Sequence, residues 1–116
     1  MGRRVLIADG NVDAAESLAL LLRLYGHEAE TAHTGPAALA TAAAFAPDAV
    51  FMALELHQVD GYEVCRRLCA GGSRPRVIVA LTGHGREGDK AAVRAAGFDH
   101  HLLKPADPSA VLALLT

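Results

Sequence analysis

Along the chain, short apolar runs alternate with segments whose apolar residues recur every three or four positions. Arg4–Ala8 is mostly apolar and stops at Asp9. From Asp13 onward, Ala14, Leu18, Leu21, Leu22 and Tyr25 recur at helical spacing, and Gly26 closes the pattern. Glu28–Ala32 predicts a short strand. Thr34-Gly35-Pro36 then opens an alanine-rich helix reaching about Ala46, with the proline in the first turn, where a missing N–H is harmless. Ala49–Leu54 is apolar throughout, as a strand buried on both faces must be.

Asp60–Gly61 turns the chain into a third helix that carries Val64 and Leu68 inward, and Gly71-Gly72-Ser73 breaks it. A fourth strand is predicted at Arg76–Leu81 and a fourth helix at Glu87–Ala96, ended by Gly97. A fifth strand follows at His101–Leu103, then a short helix at Pro108–Leu115. Five βα units in succession predict a parallel sheet with helices on both faces. At this length the expectation is a flavodoxin-like (βα)5 fold, doubly wound, with strand order 2-1-3-4-5. No repeat or low-complexity linker intervenes, so residues 1–116 are expected to form one domain. Such a sheet places its ligand crevice at the carboxyl ends of the strands, where the order reverses between the first and the third.

Composition narrows the function. Apolar residues make up 52% of the chain, ordinary for a globular protein. A net charge of −2 argues against a nucleic-acid binder, which would normally show a basic face. The longest apolar run falls far short of the ~18 residues a spanning helix requires. Arg3-Arg4 before Val5–Ala8 mimics the start of a signal peptide, but Asp9 ends the run too early. The expected location is therefore cytoplasmic. Cys65 and Cys69, at i and i+4, share one helical face and read as two reduced thiols; a metal or redox pair needs more ligands or tighter spacing.

The strand ends carry the candidate chemistry. Asp9 follows the first strand, Glu55 the third, Thr82 the fourth and Lys104 the fifth. Singly, each is an ordinary turn or surface residue. Jointly placed at the expected crevice, a carboxylate, a hydroxyl and an ammonium indicate a site.

At these positions the chain resembles receiver domains of response regulators over essentially its whole length, and most of all those attached to hybrid sensor histidine kinases. The matching stretches are Val5-Leu6-Ile7-Ala8-Asp9, Asn11-Val12-Asp13-Ala14-Ala15, Pro47-Asp48, Asp60-Gly61-Tyr62-Glu63-Val64, Ala80-Leu81-Thr82-Gly83, Ala96-Gly97-Phe98-Asp99 and Leu103-Lys104-Pro105. Each is short; their order and spacing together are specific. The resemblance implies transfer of a phosphoryl group from a partner histidine to an aspartate ending the third strand. A Mg²⁺ ion held by an acidic pair after the first strand screens the charge, which is positioning plus electrostatic stabilisation. By position, Asp9 matches the first acid, Thr82 the phosphate-binding hydroxyl and Lys104 the ammonium. The backbone carbonyl of Glu55 would face the metal, and His101 takes a switch position that is usually aromatic. A cis bond before Pro105 is implied too, as is a protein partner, a histidine kinase or another signalling protein.

Two departures strike this chemistry. Ala53 stands where the resemblance requires the accepting aspartate, and Gly10 replaces the second acid. Mg²⁺ prefers carboxylate oxygens, so with Asp9 alone its binding is expected to be weak or absent. His57 also replaces a customary proline. Three changes around one pocket predict natural loss, since engineering of the acceptor would not account for Gly10. Glu55 lies beyond the acceptor point and Asp48 at the wrong end of the strand. The expectation is a pseudo-receiver working through protein contact, in which Lys104 is left to pair with Asp9. A pH-sensitive role for His101 is a further reading, set against an ordinary half-buried histidine.

Two rivals compete. Gly83-His84-Gly85-Arg86-Glu87-Gly88 is a literal G-x-G-x-x-G, with Asp107 about 20 residues on. A dinucleotide site built on Gly83, Gly85 and Gly88 would need a second half-fold, and only one strand follows. A metal-hydrolase reading from Asp99-His100-His101, with His57 and His84, lacks ligand spacing, and His100 and His101 point to opposite faces of a strand.

Overall fold

The computed structural model describes residues 2–72, 74–83 and 90–116. Five strands, β1 (Arg4–Ala8), β2 (Glu28–Ala32), β3 (Ala49–Ala53), β4 (Val77–Thr82) and β5 (His100–Leu103), form one parallel sheet in the order 2-1-3-4-5. The helices between and after them are α1 (Val12–Leu24), α2 (Gly35–Phe45), α3 (Gly61–Ala70), α4 (Lys90–Ala96) and α5 (Pro108–Leu114). The fold is the flavodoxin-like one expected. Element ends differ from expectation by a residue or two, because end residues pair only once a neighbour is present. Thr82 joins β4 through its pairing with Leu103, and His100 joins β5 opposite Val79. The predicted start of the fourth helix at Glu87, and Ser73 in the break after the third, lie outside the described residues.

Alternation along the strands builds two cores. Leu6, Ala8, Val50, Met52, Ile78 and Ala80 pack with α2, α3 and α4. Val5, Ile7, Phe51, Val79 and Leu81 pack with α1 and α5. β3 is buried along its whole length, which is why it shows no polar alternation.

Local chemistry sets the helix ends. The side chains of Asn11, Thr34 and Asp60 accept hydrogen bonds from the amides of Ala14, Ala37 and Glu63, capping α1, α2 and α3. Uncharged α2 ends at Ala46, which is left-handed at φ 51. Arg4 reaches across from β1 and donates through Nε to the carbonyl of Phe45 at 2.9 Å, its guanidinium lying 4.3 Å from the centre of the Phe45 ring. Pro36 sits in the first turn of α2, as expected. Cys65 is buried and Cys69 half-buried on α3, both unbridged. Burial, and next the neighbouring Cys69 thiol, push the Cys65 thiol up to about 12.

Candidate functional site

Parallel winding delivers the carboxyl ends of β1, β3, β4 and β5 to one edge. Asp9 leaves β1 with its amide bonded to the Ala32 carbonyl at 2.9 Å. It is 4% exposed, so it is no solvated turn residue. Its Oδ1 accepts from the Asn11 amide at 3.0 Å, and this local turn hands the chain to the cap of α1. Its carbonyl lies 3.0 Å from Nδ1 of His33.

Lys104 arrives from the other side. Its amide donates to the Thr82 carbonyl at 2.7 Å, the peptide bond to Pro105 is cis, and Nζ lies 3.2 Å from Oδ1 and 3.1 Å from Oδ2 of Asp9. Both Asp9 oxygens are thus held by the ammonium. Thr82 is 3% exposed, and its hydroxyl donates only at 3.4 Å, to the Leu102 carbonyl.

Ala53 ends β3 beside Leu81, 2% exposed, and its methyl presents no oxygen. It lines a cavity of about 580 Å³ together with Glu55, Asp60, Tyr62, Thr82 and Lys104. Gly61 lets α3 begin this close to the strand end: a Cβ there would collide with the Ala53 carbonyl and the Leu54 Cα, and its amide donates to the Leu54 carbonyl at 2.8 Å. Gly10 is exposed, and a Cβ there would meet only the His33 carbonyl, at 3.8 Å.

These donors do not fit Mg²⁺. Gly10 and Ala53 contribute no side-chain oxygen, and Asp9 is engaged by Lys104 and the Asn11 amide. Among the described residues no three His, Cys, Asp or Glu side chains are grouped to hold a metal. The histidine-based hydrolase reading has the same deficit, and His84 lies outside the described residues. So do Gly85 and Gly88 of the proposed dinucleotide loop; Gly83 is exposed, and among the described residues β5 is the one strand that follows.

Of the remaining candidates, Glu55 is exposed at the cavity mouth. Asp48 lies at the amino end, accepting from the Arg4 amide at 3.0 Å. His101 pairs with Ala80 and is half-buried, and its buried Nε2 has no hydrogen-bond partner among the described residues. Sequence reasoning passed over His33 and Tyr62. His33 directly follows β2, so the strand-end rule applied to that strand would have found it; Tyr62 enters the cavity through the fold of α3, and its spacing carried no such signal.

Comparison with known proteins bears on this geometry. The family described as response regulator receiver domain matches residues 5–116. The response regulator MprA of Mycobacterium bovis is 35% identical over 105 residues, covering 90% of this chain and 45% of that protein. The chain spans about half the length of the curated relatives it matches. A response-regulator structure from Chloroflexus aurantiacus superposes with a TM-score of 0.88 at 31% identity, covering 98% of this chain and 94% of the other. The receiver domain of the Pseudomonas aeruginosa sensor histidine kinase PA1611 superposes with a TM-score of 0.86 at 27% identity, covering 99% and 95%. In that structure a magnesium ion is coordinated in the active-site cleft.

Proposed function

This chain belongs to the response regulator receiver domain family, and from that premise we propose that it is a pseudo-receiver: a cytoplasmic signalling module that does not accept phosphate and acts through protein contact. The observation that carries the reading is Ala53. Its methyl closes β3 in the same cavity as Thr82 and Lys104, leaving those two groups with no acyl-phosphate to bind. The Asp9–Lys104 contact supports it further. Phosphoryl transfer depends on positive charge poised for the transferring oxygens, and here the Lys104 ammonium is already paired with Asp9. The partner is a histidine kinase or another signalling protein, which would recognise the surface of the fold and not its phosphorylation state.

The test is intact mass after incubation with Mg²⁺ and acetyl phosphate, for the natural chain and for the Gly10→Asp/Ala53→Asp variant. A Cβ at Gly10 would meet nothing closer than the His33 carbonyl, at 3.8 Å. A phosphate adduct on the variant alone is the expected result. An adduct on the natural chain would overturn the reading, with Glu55 the first acceptor to map.

A further inference from the structure

Cys65 and Cys69 stand one turn apart on α3, and the fold brings both sulfurs to one point, Gly97, directly after α4. A Cβ there would sit 2.5 Å from Sγ of Cys69 and 3.6 Å from Sγ of Cys65. A φ of 112 calls for glycine in any case, and the missing side chain leaves room beside both sulfurs. The Gly97 carbonyl lies 3.9 Å from Sγ of Cys69 and accepts from Arg74 Nη2 at 2.8 Å, so a guanidinium adjoins the pair. Asp99 is engaged through Oδ2 by Arg74 at 3.0 Å and by the Ile78 amide at 2.8 Å. Val93, Ala96 and Phe98 belong with Cys65 to one apolar cluster. Cys65 is buried and Cys69 half-buried, both unbridged, so one sulfur of the pair is open to solvent.

We propose that Cys65 and Cys69 form a binding site for a soft, two-coordinate cation, Cu(I), bridging the two sulfurs beside Gly97. The proposal goes beyond the pseudo-receiver reading and does not depend on it. Coordination number selects the ion. Zinc and iron–sulfur clusters take four ligands, and among the described residues no third His, Cys, Asp or Glu is grouped with this pair. Thiolates favour soft ions, and of these Cu(I) is satisfied by two donors. The four-residue spacing is short of ligands for an ion that wants four, but not for one that takes two. A bridge asks for sulfurs roughly 4.6 Å apart, taking twice the ~2.3 Å of a zinc–thiolate bond as the yardstick. Two sulfurs at 2.5 and 3.6 Å from one point admit that span. Each thiol gives its proton to solvent as its sulfur binds, and the ion keeps its oxidation state. Burial holds the proton on Cys65, but a coordinated thiol is deprotonated outright because the metal supplies the positive charge. The resulting bis-thiolate carries one negative charge beside the Arg74 guanidinium.

The experiment titrates the full, reduced chain with Cu(I), without oxygen, against the coloured Cu(I) chelator bicinchoninate, and counts protons released near neutral pH. One ion per chain with two protons released is the expected result, undisturbed by excess Zn²⁺. Cys65→Ala and Cys69→Ala should each weaken binding at least about a hundredfold, because two linked donors act together. Circular dichroism checks both variants. Where Cys65→Ala does not fold, Cys69→Ala at its half-buried position and the proton count on the natural chain carry the test. Failure to take Cu(I) from the chelator, binding that survives in Cys69→Ala, release of a single proton, or displacement by Zn²⁺ would each overturn the proposal. So would half an ion per chain with a dimer in sedimentation, since the ion would then join two copies through Cys69. Phosphorylation of the natural chain bears on the pseudo-receiver reading alone, so the two can fail separately.

Discussion

Lys104 Nζ lies 3.1 Å from Oδ2 of Asp9, joining residues 95 apart in sequence and closing the crevice edge between β1 and β5. Asp9 is all but buried, while the lysine side chain keeps 34% of its surface in water. An acid and a cation that in phosphorylatable relatives would be expected to serve a metal and a phosphoryl group here satisfy one another.

Replacing Lys104 with Met should destabilise the chain by about 2 kcal/mol, because among the described residues it leaves the buried carboxylate with only the Asn11 amide as a polar partner. The cost stays below the ~3–5 kcal/mol of a fully buried pair since half-exposed lysine is partly solvated and screened. In a urea-unfolding cycle with Asp9→Asn, the coupling should come to about 1 kcal/mol. Zero coupling would show that the contact carries no net stability.

Of the two thiols, Cys69 should be alkylated in the native protein and Cys65 only on unfolding, since Cys65 is buried and its thiol is held protonated by burial and by Cys69. The linkage sign follows. Above the ordinary value of 9.0 the unfolded thiol loses its proton, while the folded one keeps it to about 12. The unfolded state then binds fewer protons, so this group's contribution lowers stability as pH rises from 9 towards 12. Cys65→Ala should flatten that part of the pH–stability curve; an unchanged slope would exclude the linkage.

At the end of α2, Ala46→Gly should stabilise the chain by about 0.5 kcal/mol. Alanine at φ 51 carries a left-handed penalty of roughly 1 kcal/mol, of which glycine's greater freedom in the unfolded chain cancels part. Thermal unfolding would read it as a rise in Tm; a fall would mean that the Ala46 side chain makes a compensating contact.

Much of this was legible beforehand. The unbroken apolar run of β3, the alternating helical and strand periods, and the helix openings at Thr34-Gly35-Pro36 and Asp60–Gly61 announced a doubly wound sheet, and the order 2-1-3-4-5 followed from the run of βα units and the length. The joint placement of Asp9, Thr82 and Lys104 at strand ends was visible beforehand, and the family resemblance implied their match to a receiver site and the missing oxygens at Gly10 and Ala53. His33 was overlooked because the strand-end rule was not applied to β2, whose end it directly follows.

By itself, then, the sequence determined which chemical groups stand at each strand end and which are absent, because strand endings and side-chain identities are local properties. Only the tertiary structure decided how those groups are used. Burial of Asp9, its distance to Lys104, the weak hydroxyl bond of Thr82 and the burial of the His101 Nε2 depend on how the sheet assembles the ends of β1, β3, β4 and β5. The pairing of Asp99 with Arg74 and the Ile78 amide has the same origin: a count of charges along the chain balances acids against bases, whereas ion pairing acts over a few ångströms.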